Sequence, residues 1–286
     1  MSESDTPAWQ AFLGQPRRDM SLAHGALLIA AEAYPELDVP AYVQKLDDMA
    51  ATIKSRVPAD IARTGMLTAL NRYLFDELGF KGNQSNYYDP RNSYLNDVIE
   101  RKVGIPITLS VIYIEVGKRL GLPMQGVSFP GHFLVKCALR DGTAVIDPYA
   151  GGSSLGVKDL QVRARTMTGG REVPPETVMS MLAASPAAEI LARMLRNLRA
   201  IHTERGERDE RGERERALTA ANRVIDLSPG SAEDYLARAR LLEELECFRA
   251  ALSDLETCLR LAPGRPDAHA LGLRVVRLKE RVTRLN

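Results

Sequence analysis

Hydrophobic positions recur every three to four residues through most of the first hundred residues, the spacing of helices with one buried face. The pattern predicts a helix over 22–34, which a proline ends, and a second over 38–56, with Asp38 as its N-cap. A third helix is predicted over 59–78, because a glycine follows directly, as is common at helix C-termini. The N-terminal part of the chain is therefore predicted to be mostly helical.

A polar stretch over 82–93 interrupts this helical pattern and is predicted to be a loop. Asn92 or Ser93 is expected to cap a short helix that runs to Glu100. The chain then becomes strongly apolar over 104–120, which predicts a central helix.

Alternation of apolar and polar residues follows the central helix and indicates strands over about 125–129 and 133–139. An Asp-Gly pair at 141–142 then leads into a third strand over 144–147, which is a hairpin signal. The middle of the chain therefore combines one helix with a small antiparallel sheet.

The chain beyond residue 184 is predicted to be entirely helical and contains a repeat. Residues 217–230 match 251–264 at an offset of 34 residues, with a proline near the end of each unit, which is the tetratricopeptide signature. The first unit carries a near-duplicated charged insert, Glu204–Asp209 followed by Glu210–Glu215, interpreted as a solvated extension. Two units are fewer than such arrays need to stand alone, so the repeats are expected to pack on the N-terminal domain.

Charge and composition narrow the classes of function. Among 286 residues, 38 basic and 37 acidic side chains give a net charge of +1, which offers no argument for nucleic acid or an anionic membrane as partner. The first residues do not resemble a signal peptide, and the apolar runs are too short or too polar to span a bilayer. A cytoplasmic location is expected, and the oligomeric state stays open.

Three cysteines, Cys137, Cys247 and Cys258, are scattered and odd in number. This favours buried free thiols in a reducing compartment over disulfides or a zinc site. The histidines are scattered too, and no glycine-rich phosphate loop is present, so neither a metal nor a cofactor is expected.

Candidate chemistry centres on the start of the central helix. Gly104 opens an apolar helix, and His132 and Asp147 follow on neighbouring strands. A helix N-terminus, a histidine base and an orienting carboxylate are the surroundings that activate a thiol. Pro106 stands where the cysteine belongs, so the pattern contains two parts of a catalytic triad without its nucleophile.

Three interpretations of the His132–Asp147 pair stay open: a structural hydrogen bond, a non-catalytic binding pocket that keeps the shape of an older site, and catalysis by a different nucleophile. Thr108 points to another side of the helix, Ser110 lies one turn deeper, and Cys137 lies on the opposite face of its strand. None of the three is a convincing substitute. The candidate binding residues, which either line a peptide or sugar groove or pack the loop onto the core, are Tyr87, Tyr88, Asn92, Tyr94 and Thr108.

Several long motifs resemble the SirB-type transglutaminase-like proteins of bacteria. They lie at 80–83, 87–96, 104–110, 129–135 and 147–148, and the likeness runs from about Ser21 to Ala268. The resemblance implies an α+β fold: a papain- or transglutaminase-like core with a helical N-terminal region, followed by α-helical tetratricopeptide-like repeats. It matches His132 and Asp147 to the superfamily's His and Asp and implies no known reaction.

Two domains are expected on this basis. The core covers 1–184, with a helical part over about 20–103 and the site-bearing helix and strands over about 104–150, and the repeat region covers 185–286. The function expected is that of a non-catalytic pseudoenzyme that binds a peptide or protein partner as an adaptor. The alternative is an amide-bond hydrolase or acyltransferase that uses His132 and Asp147 with another nucleophile or water.

Overall fold

A computed structural model describes residues 7–206 and 211–284. The described chain divides into two compact units. One unit, the core unit, comprises residues 15–190, and the other, the repeat unit, comprises 191–284 together with residues 7–14.

Helices supply the N-terminal part of the core unit, as the hydrophobic spacing predicts. Asp38 caps the second of them by accepting a hydrogen bond from the backbone N–H of Ala41, at 3.0 Å. The helices up to the central one are α2 (Leu22–Ala31), α3 (Val39–Lys54), α4 (Arg63–Asn71), α5 (Leu95–Arg101) and α6 (Pro106–Arg119). The helix α4 continues as one π-helical stretch, Arg72–Glu77.

The main sheet is antiparallel and has four strands in sequence order. They are β3 (Met124–Val127), β4 (Leu134–Leu139), β5 (Gly142–Asp147) and β6 (Ser153–Ser154). The hairpin between β4 and β5 enters its second strand at Gly142, whose positive φ of 147° is a conformation that favours glycine. The predicted hairpin is therefore confirmed, and β6 extends it by one short strand.

A second sheet of only two residues per strand was not visible in the sequence pattern. The strands β1 (Lys81–Gly82) and β2 (Val103–Gly104) pair in parallel, with Gly82 opposite Gly104. This pairing joins the start of the 82–93 loop to the residue two positions before Pro106.

The core of this unit forms on both sides of the main sheet. Helix α6 contacts β3 and β4, and Met124 packs against Gly117 of that helix. The other face of the sheet carries an apolar cluster that includes Val127 and Leu134. Helices α7 (Val157–Met167) and α8 (Pro175–Ser180) also contribute side chains to this cluster. Helix α6 is thus buried along most of its length, which fixes its N-terminus in place.

The repeat unit consists of helices, in agreement with the tetratricopeptide pattern. In chain order they are α1 (Pro7–Leu13), the part of α9 (Ala187–Gly206) from Leu191 onward, α10 (Arg211–Leu227), α11 (Ala232–Glu244), α12 (Phe248–Leu261) and α13 (Ala268–Arg284). Successive helices from α10 to α13 pack on one another around small buried residues such as Ala239 and Ala251.

Two details differ from the sequence-based expectations. Tyr94, not Asn92 or Ser93, is the N-cap of α5, because the Asn92 side chain is engaged within the preceding loop. Cys247 is exposed and N-caps α12, whereas Cys137 and Cys258 are buried free thiols as expected.

The charged insert is only partly solvated. Residues 207–210 of its near-duplication lie outside the described residues, but Glu213 is buried and contacts the buried His202. In the part of the chain that the structure describes, no helix is both long and apolar enough to cross a membrane.

Candidate functional site

The structure brings His132 and Asp147 together. His132 lies in the tight turn before β4, where its backbone N–H donates to the carbonyl of Phe129 at 3.0 Å. Asp147 is the last residue of β5, and Nε2 of His132 lies 2.9 Å from its Oδ1. An ionised carboxylate only accepts hydrogen bonds, so Nε2 carries the proton in this pair. The contact between the two side chains that their spacing predicts is confirmed.

The Asp147 carboxylate is held from several directions. Its Oδ1 also accepts hydrogen bonds from the backbone N–H groups of Tyr149, at 3.0 Å, and Ala150, at 3.3 Å, which begin a 3-10 turn at Pro148–Ala150. Its Oδ2 accepts a hydrogen bond from Arg163 of α7 at 2.6 Å. Both oxygens are therefore fixed, and the imidazole of His132 is held against Oδ1.

These contacts decide the ionisation of the carboxyl group. Burial alone would raise the pKa of Asp147, since its side chain is only 1% exposed. The hydrogen bond from His132 and the positive charge of Arg163 outweigh that effect and lower the pKa below its ordinary value. Asp147 is therefore ionised at neutral pH.

A chain of contacts connects the pair to the start of α6. The ring of Tyr149 meets the His132 ring edge to face, with centroids 5.9 Å apart. Tyr149 also covers Gly82, where a Cβ would overlap its ring, and its hydroxyl donates to the carbonyl of Asn83 at 3.2 Å. The N–H of Asn83 in turn donates to the carbonyl of Gly104 at 2.9 Å, two residues before Pro106.

The loop over 83–93 is fastened by buried amides. The Asn83 amide donates to Asn92 Oδ1 at 3.1 Å, and the Asn92 amide donates to the carbonyl of Asn86 at 2.7 Å. The Thr108 hydroxyl donates to the carbonyl of Asn92 at 2.8 Å and accepts from the N–H of Ile105 at 3.1 Å. Thr108 thereby caps α6 and holds the loop against its first turn.

These contacts separate the candidate binding residues into two groups. Asn92, Tyr94 and Thr108 are buried, and the polar atoms of Asn92 and Thr108 serve the internal network. They shape the loop from within. Tyr87 and Tyr88 are 42% and 65% exposed, with their rings in edge-to-face contact at 5.4 Å. Of the five candidate binding residues, these two tyrosines are the exposed ones.

Neither Ser110 nor Cys137 has the surroundings of an activated nucleophile. Pro106 occupies the first turn of α6, and it is buried. Ser110 is fully buried, and its Oγ has no hydrogen-bond partner among the described residues. Cys137 is buried as well, and burial raises the pKa of its thiol, which disfavours the reactive thiolate.

Sequence reasoning missed two residues of the site. Tyr149 follows Asp147 by two positions, so its nearness to the carboxylate could have suggested it. Arg163 lies on a helix that the pattern did not resolve, and an arginine between Val162 and Ala164 carries no signal for a site. Among the described residues, no group of three or more His, Cys, Asp or Glu side chains could hold a metal ion.

Fold and site together define a transglutaminase-like domain joined to a helical repeat. The family model of the transglutaminase-like superfamily matches residues 40–196, and that of the tetratricopeptide repeat matches 198–275. A UPF0162 protein of Xylella fastidiosa (strain Temecula1) is 39% identical over 257 residues, covering 90% of this chain and 89% of the relative. The chain belongs to the transglutaminase-like superfamily and, within it, to the family of UPF0162 proteins.

Two further relatives show how widely the domain occurs. UPF0162 protein PA3419 of Pseudomonas aeruginosa is 32% identical and covers 89% of this chain and 90% of its own. F-box only protein 21 of Mus musculus is 32% identical over 182 residues, which are 53% of this chain and 29% of that protein. The likeness to the mouse protein is thus confined to a part of each chain.

Proposed function

We propose that this protein is a nucleophile-less member of the transglutaminase-like superfamily that binds a peptide or protein partner in the cytoplasm. The observation that carries the proposal is the start of α6, where a buried proline stands in the place of the thiol. Proline has no proton to lose and no lone pair available for attack. The His132–Asp147 pair then acts as a retained, rigid part of a pocket wall.

The exposed tyrosines of the 83–93 loop support a binding role. Tyr87 and Tyr88 lie on a loop whose backbone is fastened by Asn83 and Asn92, so their rings are presented on a rigid base. Tyrosine is enriched at protein interfaces because it offers a large apolar face and a polar tip at a low entropic cost. The tetratricopeptide repeats supply a second surface of a kind that binds protein segments.

Binding is tested by affinity capture from a bacterial lysate with the full chain and two variants. The Tyr87→Ala/Tyr88→Ala variant should lose the partners that bind through the loop. A Tyr73→Ala variant serves as a control, because Tyr73 lies in the π-helical stretch and not in the loop. The loop carries no binding role if the double variant, with an unchanged circular dichroism spectrum, captures the same proteins as the wild type.

A hydrolase or acyltransferase is the second candidate function. The observation in its favour is that Asp147 is buried and ionised and orients His132, whose side chain stays 16% exposed and could activate water. The test is incorporation of a fluorescent primary amine into a glutamine-containing protein, together with hydrolysis of a peptide amide. We expect no turnover above that of a His132→Ala variant. Turnover by the wild type that this substitution abolishes would reverse the proposal in favour of an enzyme.

A further inference from the structure

Helix α1 belongs to the repeat unit although it lies at the opposite end of the sequence. Its burial follows a helical period: Trp9 and Phe12 are each 1% exposed, one turn apart, and Leu13 is half-buried. The intervening residues Gln10 and Ala11 are exposed. Helix α1 therefore presents one apolar edge, and the repeat unit covers that edge.

Two residues on one turn of α10 hold the indole of Trp9. The indole N–H donates to Oδ2 of Asp226 at 2.9 Å. The buried guanidinium of Arg223 lies 4.9 Å from the centroid of the ring, within the range of a cation–π contact. Arg223 and Asp226 also face each other at 3.7 Å. Asp226 accepts a hydrogen bond that only the indole N–H can donate, and the Arg223 charge lies over the face of the ring. Together these two contacts make a site that recognises tryptophan.

The attachment of α1 to the rest of the chain is short and exposed. Residues 14–19, which follow α1, are all exposed. A helix of seven residues is too short to be stable alone in water. Helix α1 consequently depends on the surface it covers, in the manner of a peptide whose anchors at i, i+3 and i+4 fill a groove.

We propose that α1 is an intramolecular ligand of the repeat unit. The surface of α10 beneath it is then a docking site for an amphipathic helix of a partner protein that carries a tryptophan and a phenylalanine one turn apart. Such a helix displaces α1, and α1 keeps the site closed until it arrives. The inference extends the proposed binding function to a named surface and partner chemistry, and it does not depend on the tyrosine loop of the core unit.

The first test empties the site. A fluorescein-labelled synthetic peptide with the sequence of residues 5–16 is titrated with the full chain and with a Trp9→Ala/Phe12→Ala variant, and anisotropy is recorded. The emptied variant should bind at least about tenfold more tightly, because the wild-type site is occupied by its own segment. Equal affinity for both, or no binding to an emptied variant with a native circular dichroism spectrum, would show that α1 is a permanent cap.

Further substitutions locate the binding surface. In the emptied variant, Asp226→Ala should weaken peptide binding at least about tenfold, while Glu215→Ala, at an exposed position of the same helix, should leave it unchanged. Tyr87→Ala/Tyr88→Ala should have no effect on this affinity. If peptide binding were weakened by the tyrosine substitutions and not by Asp226→Ala, the assignment to α10 would be wrong. If the tyrosine variant lost partners in affinity capture but bound the peptide with unchanged affinity, the assignment to α10 would be supported.

A second measurement needs no destabilised variant, because Trp9 is the single tryptophan of the chain. Its fluorescence in the wild-type protein reports the docking of α1 directly. Addition of the 5–16 peptide with the non-fluorescent analogue 4-fluorotryptophan, which keeps the indole N–H, in place of tryptophan should increase the quenching of Trp9 by acrylamide, as α1 is displaced into water. Quenching that stays constant as the peptide is raised to a large excess refutes the proposal.

Discussion

The core unit and the repeat unit each contain a histidine bonded to a carboxylate, and the two pairs have opposite surroundings. In the core unit, Nε2 of His132 lies 2.9 Å from Asp147. In the repeat unit, Nδ1 of His202 lies 2.7 Å from Oε2 of Glu213. The distances alone do not separate a candidate site from a structural hydrogen bond.

Access and positioning make the difference between the pairs. The His202 side chain is 3% exposed, and burial lowers its pKa despite the neighbouring carboxylate, so it is a neutral donor inside a helical core. His132 is 16% exposed, and its carboxylate partner is fixed by two backbone N–H groups and Arg163. His132 thus differs from His202 in having a rigidly held carboxylate on one side and solvent on the other.

The largest difference is expected on removal of the carboxylates. Asp147→Ala leaves two turn N–H groups, His132 and Arg163 without their acceptor and should lower the free energy of unfolding by about 3 kcal/mol. Glu213→Ala should cost less, because Arg216 is mostly exposed and rehydrates. Urea denaturation of both variants checks the order. Asp60→Ala, at an exposed position, is the control and should change stability by less than about 0.5 kcal/mol. A larger loss for Glu213→Ala would contradict the comparison.

A thiol at the start of α6 sharpens the comparison chemically. In a Pro106→Cys variant the helix N-terminus and the imidazole of His132 should lower the thiol pKa from about 8.5 into the range of roughly 3.5–7.5. Alkylation by iodoacetamide at pH 7 should then be at least about fivefold faster than at Cys137, Cys247 or Cys258. Adding His132→Ala should remove the advantage, whereas His202→Ala should not. An unreactive thiol in a folded variant would mean that the pocket is closed and that the pair is only structural.

The two pairs should also respond to acid in different pH ranges. The pKa of His202 is lowered in the folded state, so the unfolded state takes up the proton first as pH falls below about 6.5, and stability is lost there. The pKa of Asp147 is lowered too, so its contribution is present above about pH 4 and is lost only below it. Between pH 7 and 5, His202→Gln should therefore make the free energy of unfolding less dependent on pH. Urea midpoints measured across this range test it, and an unchanged slope would argue against a buried neutral imidazole.

The smallest effect is expected at Arg163. Its side chain is one-third exposed, so Arg163→Gln should cost less than about 1 kcal/mol at neutral pH. Because Arg163 helps to lower the pKa of Asp147, the substitution should raise that pKa and move the acid limb of the stability curve to higher pH. Arg165→Gln, which removes a bond only to the Gly170 carbonyl, should leave the acid limb in place. If both variants shift it equally, the effect reports net charge and not the Arg163–Asp147 contact.

Much of the fold and the pair at the centre of the site follow from the sequence, because long apolar periods and a fixed strand spacing decide them. The hairpin brings β4 and β5 into register, so that the turn before β4, which carries His132, lies near Asp147 at the end of β5. Interactions without a local pattern could not be predicted. The two-residue strands β1 and β2 are too short for any periodicity, and Arg163 reaches Asp147 from a separate helix.

The burial of particular polar residues could not be predicted from the pattern of apolar positions either. Glu213 lies in a charged insert whose composition indicates a solvated helix, yet one of its faces packs inward against His202. Asparagine is a common helix N-cap, but the Asn92 side chain forms its hydrogen bonds within the preceding loop. In both cases a side-chain contact overrides a local preference, and the spacing of apolar residues carries no information about such polar contacts.

The Thr108 hydroxyl has a consequence for the motions of the molecule. One oxygen accepts the Ile105 N–H and donates to the Asn92 carbonyl, so neither the helix end nor the tyrosine loop can open without disturbing the other. In amide hydrogen exchange, the Ile105 proton would then be released only by openings in which the loop also takes part. The exchange rate of the Ile105 amide would thereby report how often the loop that carries Tyr87 and Tyr88 opens.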